Sequence, residues 1–165
     1  LTRGTILTTT INDIKYTLEV VQNAKEGSLV LGKLVPVTPF ASTPPAQLFT
    51  PVTFGNPGAL KVGQTAIVIG GRDGRTVATG FINRLDTHTT TNKETQKEIT
   101  ILDNIGLSQR FAGTSNGAPI ITLSGDVVGF ISIDEGAGTQ SGVLVVEAQS
   151  LLEGVSANNE TTPKP

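Results

Sequence analysis

Ala112-Gly113-Thr114-Ser115-Asn116-Gly117-Ala118-Pro119-Ile120-Ile121, continuing as Thr122-Leu123-Ser124-Gly125-Asp126-Val127-Val128-Gly129-Phe130, is the stretch on which the fold of this chain turns. Its first half is a run of small residues. Gly113, Gly117 and Ala118 leave a slim backbone whose N–H groups can converge on one point, which is the requirement for stabilising a developing oxyanion. Pro119 donates no hydrogen bond, so it marks the start of the next strand. The second half predicts a hairpin around Gly125, because glycine supplies the backbone freedom of a tight turn. Taken alone, 113–118 is better read as a polar surface loop between two strands, because turns dominate such composition.

Outward from this stretch the pattern is all-β. Short runs rich in Val, Ile, Thr and Leu alternate with Gly, Pro, Asn and Asp clusters. They predict strands at Thr5–Thr10, Thr17–Gln22, Ser28–Pro36, Thr65–Gly70, Thr76–Asp86, Lys97–Asp103, Ala118–Leu123, Val127–Asp134 and Gly142–Ala148. Strands this short at such even spacing fit barrels or a sandwich. Helical pattern is scarce, with one turn expected at Gln149–Leu152.

Composition excludes several function classes. A chain of 165 residues is long enough for a sizeable core. A net charge of −2 gives no electrostatic footprint for nucleic acid or an acidic membrane surface. Cys, Met and Trp are absent. Neither a disulfide framework nor a thiolate metal site can form, and the lack of cysteine is compatible with an oxidising compartment. One histidine and scattered carboxylates offer no ligand spacing, so no metal and no cofactor is expected. Asp86 and His88 alternate on a strand and point the same way, which could hold an adventitious ion but is read as a polar pair facing solvent. Gly70-Gly71-Arg72-Asp73-Gly74-Arg75 lacks the Lys-Ser/Thr and following helix of a phosphate loop. No apolar run reaches membrane-spanning length and no signal peptide stands at Leu1. Because the chain opens at Leu1-Thr2 without Met, it is read as an excised domain, with any export signal or anchor upstream.

Residues 38–57 carry too many prolines for a ladder of backbone donors and read as an extended crossing between two β units. The expected organisation is a partial first barrel over 1–37, the crossing over 38–57, a second barrel over 58–153 and a disordered tail or linker over 154–165. Asp86–Gln96, rich in Thr, reads as a polar hairpin excursion of the second barrel.

Two further pieces, together with the opening stretch and its hairpin, resemble the HtrA/Deg-type proteases of the trypsin-like fold. Gly55-Asn56-Pro57-Gly58-Ala59-Leu60-Lys61-Val62-Gly63-Gln64, running into Thr65–Gly70, looks like the turn and strand that open the second barrel in that family. Thr76-Val77-Ala78-Thr79-Gly80-Phe81-Ile82 resembles its Thr-Val-Thr-x-Gly-Ile-Val strand. Ile121–Ile131 is similar to its Leu-x-Asp-Gly-Glu-Val-Val-Gly-Ile hairpin. The resemblance implies an all-β, trypsin-like double β-barrel with a complete second barrel and a shortened first one. The strands that normally precede the family's Ile-Leu-Thr strand have no counterpart in this sequence.

The same resemblance assigns the catalytic positions, and none carries its usual residue. Proton-relay chemistry needs a nucleophile, an imidazole and an orienting carboxylate. The family's histidine follows an Ile-Leu-Thr strand, and that position falls on Ile11. Its aspartate position falls at Gly27 or Ser28, beside Glu26. Its nucleophile, three residues before the proline, falls on Asn116. A one-residue slip would make Ser115 the nucleophile at the expense of a longer loop. His88 lies in the second-barrel excursion, whereas the family's base comes from the first barrel.

The implied function is therefore a catalytically inactive protease fold, a pseudoprotease, acting as a peptide- or protein-binding scaffold at the cell envelope or outside the cell. A peptide would add to a strand edge by β-augmentation, with Gly113, Thr114, Asn116, Gly117, Ser132, Ile133 and Asp134 lining the site. No contact with nucleic acid or membrane by this domain is expected. An incomplete first barrel leaves an open edge, so a homodimer is also expected. Two other readings stand beside this one: an active serine endopeptidase using Ser115 with an unidentified base, and a purely structural β domain of a larger exported protein.

Overall fold

A computed structural model describes residues 2–11, 14–23, 29–37, 50–70, 76–111, 115–134, 139–144, 148, 149 and 152. The chain divides into two units, one of Leu1–Pro51 with Glu147–Pro165, the other of Val52–Val146. Of the residues singled out above, Glu26, Gly27, Ser28, Ala112, Gly113 and Thr114 lie outside the described set, as do residues 38–49 of the expected crossing. So do the loop Gly71–Arg75 and the tail 154–165.

In the first unit, β1 (Ile6–Ile11), β2 (Ile14–Asn23) and β3 (Val30–Pro36) form an antiparallel sheet in chain order. Register places Leu7 opposite Leu18 and Leu18 opposite Leu34, so these leucines form a row on one face. Tyr16 and Val20 lie on the same face of β2 and are buried. Gly32 leaves room for Leu18 on that face, since a Cβ there would overlap the Leu18 side chain unless that side chain moved.

The second unit is a closed six-stranded barrel. It comprises β4 (Thr65–Gly70), β5 (Thr76–Thr91), β6 (Glu98–Leu107), β7 (Pro119–Ile121), β8 (Val127–Asp134) and β9 (Thr139–Leu144). The strands run around it in the order β4-β5-β6-β9-β8-β7, and β7 closes back onto β4. Alternation decides what faces inward. Along β4, Ala66, Val68 and Gly70 are buried while Ile69 is exposed. Leu60, Ala66, Val68, Ile82, Ile105, Ala118, Ile120, Val128 and Ile131 pack as one core. Each fully buried aliphatic side chain there contributes about 1.5–3 kcal/mol relative to exposure.

All nine predicted strands are present; β4 and β8 have the expected bounds and the others differ at one or both ends. Extended structure in β5 runs to Thr91, past the Asp86 end expected from the sequence. Threonine's stiff, branched side chain suits a strand even where nothing is buried, and Thr87–Thr91 pairs with Glu98–Leu102 as a projecting ribbon. Asn92 shapes its tip, accepting hydrogen bonds from the Glu94 and Thr95 N–H groups through Oδ1, both at 2.9 Å. Gln96 closes the turn at φ +55°, in the left-handed region. β9 spans Thr139–Leu144, earlier than the expected Gly142–Ala148. Of the expected final turn at Gln149–Leu152, Gln149 and Leu152 are helical, and so is Ala148, the expected end of the last strand.

The proline-rich approach to the barrel ends in an unforeseen contact. Phe54 forms a parallel bridge with Val127. The Gly55 N–H donates to the Val127 carbonyl at 2.8 Å, and the Val127 N–H donates to the Thr53 carbonyl at 2.9 Å.

Candidate functional site

The loop before β7 turns sharply between Ser115 and Ala118. The Ala118 N–H donates to the Ser115 carbonyl at 2.9 Å, and Gly117 sits at φ +82°, a conformation other residues adopt only with strain. This turn sends neighbouring side chains in opposite directions. Ser115 is only 5% exposed and packs against the last residue of β4. A Cβ built on Gly70 would lie 3.0 Å from Ser115 Oγ and 3.1 Å from Ser115 Cβ. Its hydroxyl makes no hydrogen bond to any described residue. Asn116, by contrast, is exposed.

Asn116 does not hang free. Its Oδ1 accepts a hydrogen bond from the Ile133 N–H at 3.2 Å. The reason lies in the strand pairing. β8 is joined to the loop and β7 through Ile131, whose carbonyl accepts from the Gly117 N–H at 2.7 Å and whose N–H donates to the Ala118 carbonyl at 2.8 Å. Backbone groups of alternate residues point to the same side of a strand, so Ile133 presents its N–H on the side where Ile131 is paired. The chain before Ala118 has turned away by then, and the Asn116 amide fills the vacant ladder position. Ser132 and Asp134 lie opposite Ser141 and Thr139 of β9, so their backbone groups face that strand instead. Of the three residues expected along the edge, Ile133 is the one that presents its backbone on the open side.

This arrangement bears directly on chemistry. The Gly117 N–H is committed to Ile131, so it is not a free donor for an oxyanion. The exposed group at the turn is a carboxamide, which is neither a nucleophile nor a base at neutral pH. The hydroxyl beside it is buried. Ile11, the residue at the expected base position, ends β1 opposite Ile14 in the other unit.

His88 is engaged elsewhere. Its Nδ1 lies 2.7 Å from Asp103 Oδ1 across the projecting ribbon, with both side chains about half exposed. Asp86 pairs with Arg84 at 2.8 Å rather than with His88. The ladder shifts register between Asp86 and Thr87, and that irregularity brings Asp103 to His88. Among the described residues, no group of three or more potential ligands could hold a metal ion.

No protein-family model and no curated protein matches the chain. Solved structures do. The protease Rv3671c of M. tuberculosis in its active form superposes with a TM-score of 0.58 over 98% of this chain and 66% of its own, at 16% identity. The fold is that of the trypsin-like proteases. The HtrA-type protease AlgW, solved with a decapeptide, matches at a TM-score of 0.57 and 15% identity, over 90% of this chain and 44% of its own. The MamO protease domain from Magnetospirillum magneticum matches at 0.55 and 17% identity, over 88% of this chain and 73% of its own. The trypsin-like chain described here is thus shorter than each of these neighbours. Among its described residues, no helix is long and apolar enough to cross a membrane.

Proposed function

We propose that this chain is a catalytically inactive trypsin-like domain that serves as a binding scaffold for an extended peptide or protein segment. One observation carries the reading: at the turn before Pro119 the serine is buried against Gly70 and the exposed residue is an asparagine. Triad catalysis requires an accessible nucleophile within hydrogen-bond reach of a base. The lone histidine is paired with Asp103 on the ribbon, and the positions that match the family's triad hold Ile11, Gly27 and Asn116. A strand edge that can receive a peptide survives the loss of the triad, because main-chain groups supply it. The neighbour AlgW, solved with a decapeptide, supports a peptide as the ligand class. The placement that goes with this role is the cell envelope or the extracellular space.

Incubating the protein with a fluorophosphonate probe and with labelled casein tests the reading. The expected result is no covalent adduct, no cleavage, and measurable binding of unfolded casein. A fluorophosphonate adduct on Ser115 overturns it in favour of an active serine endopeptidase. Absence of both adduct and binding favours the purely structural reading.

A further inference from the structure

The contact between Asn116 and Ile133 closes the same edge on which a peptide would dock. β8 is paired on this side through Ile131, and among the described residues no further backbone group pairs with it there, because the chain turns between Ser115 and Ala118. An unpaired N–H at the end of a sheet is a ready template for an incoming strand. At Ile133 that template is already occupied, by a side-chain carbonyl 3.2 Å away that takes the place of a strand's backbone acceptor. The acceptor is exposed and carried on a side chain with rotatable bonds, so it can leave without disturbing the Gly117–Ile131 and Ile131–Ala118 bonds beneath it.

We propose that Asn116 is a displaceable latch on the β8 edge: its amide holds Ile133 in the absence of a ligand, and an extended peptide must displace it to pair with the strand. This rests on the scaffold reading above and adds its control. The latched form is not competent to bind at Ile133, so apparent affinity is reduced by the fraction of molecules in which the latch is closed. The residue at the expected nucleophile position thereby sets access to the edge.

Two variants and two measurements test the latch. Asn116→Ala removes the acceptor, while Asn116→Asp retains an acceptor oxygen and strengthens it with charge. Backbone amide exchange, followed by NMR, reads Ile133 directly, with Ile131 as the internal control. Fluorescence anisotropy with labelled decapeptides tiling β-casein reads docking. In Asn116→Ala, Ile133 exchange is expected to accelerate roughly fivefold or more while Ile131 is unchanged, the equivalent of one neutral hydrogen bond lost. The same variant is expected to bind the peptides more tightly by a similar factor, and Asn116→Asp more weakly than the parent. Unchanged Ile133 exchange, or equal peptide affinity in the parent and Asn116→Ala, overturns the latch and leaves the scaffold reading standing. If Ile133 exchange accelerates but neither protein binds any peptide, the scaffold reading fails, and the docking role of the latch fails with it.

Discussion

Replacing Gly70 with alanine puts the central geometry to a quantitative test. Gly70 ends β4, is buried, and faces the turn that carries Ser115. An added Cβ would stand 3.0 Å from Ala118 Cβ, 3.0 Å from Ser115 Oγ and 3.1 Å from Ser115 Cβ. Ordinary contact begins near 3.4 Å, so the turn must retreat by a few tenths of an ångström on three fronts. Forcing a methyl into a packed site costs about 1–3 kcal/mol. Alanine's smaller backbone entropy in the unfolded chain returns about 0.4–1 kcal/mol. The net expectation for Gly70→Ala is a loss of about 1–2 kcal/mol. Ser115→Gly removes two of the three crowding atoms, so the double variant should recover part of that loss, with a coupling of at least about 0.5 kcal/mol in the cycle. Urea unfolding followed by far-UV circular dichroism is the appropriate assay. The chain has no tryptophan, and its single tyrosine, Tyr16, lies in the first sheet, where its fluorescence reports on the wrong unit. With a slope of about 1–3 kcal/mol per molar urea, the midpoint of the single variant should fall by roughly 0.5–1 M. An additive cycle, or a Gly70→Ala protein as stable as the parent, would mean that Ser115 is not held under Gly70. That outcome removes the main objection to Ser115 as a nucleophile.

On the proposed reading, a hydroxyl at the exposed position does not give chemistry: Asn116→Ser is expected to remain unlabelled by fluorophosphonate in intact mass spectra and inert toward casein, since the lone histidine is paired with Asp103 on the ribbon. Gln96→Gly should stabilise the barrel by about 0.5–1 kcal/mol. The left-handed backbone at Gln96 costs a residue with a side chain about 1–2 kcal/mol, and glycine's extra unfolded-state freedom offsets part of the gain; a rise in the urea midpoint checks it. Asp103→Ala, which removes the carboxylate beside His88, should shift stability by less than about 1 kcal/mol in the same assay, because both partners are about half exposed and screened by water.

What the sequence made legible follows from how local each signal is. The hairpin at Gly125 could be read directly, since a tight turn needs its positive φ from one residue, and Gly125 has φ +91°. The barrel strands could be read from β-branched apolar runs such as Thr65–Gly70, but not which side chains face inward, since buried Ala66 and Val68 alternate with Ile67 and exposed Ile69, all apolar. The ribbon beyond Asp86 was harder to delimit. Its threonines have strand propensity but no buried face, so the usual periodic signal is missing and pairing alone sets the end at Thr91. The Phe54–Val127 bridge joins residues far apart in sequence and left no local trace. At the site, the resemblance marked Ser115 and Asn116 as rival nucleophiles, but spacing could not say which side chain points outward. That depends on the turn locked by the Ala118–Ser115 bond and on the space that Gly70 leaves by lacking a Cβ, forty-five residues earlier in the chain. The tie between Asn116 and Ile133 was invisible for the same reason. It exists only because β8 continues beyond the point where its neighbour turns away, a mismatch of two strand ends that no single segment encodes. A side chain filling such a gap satisfies a backbone donor that would otherwise stand open to water or to another chain. Asparagine's acceptor can reach the Ile133 N–H, and it belongs to a residue that cannot attack a peptide bond. On the proposed reading, absence of a nucleophile at this position and closure of the edge both follow from the same side chain.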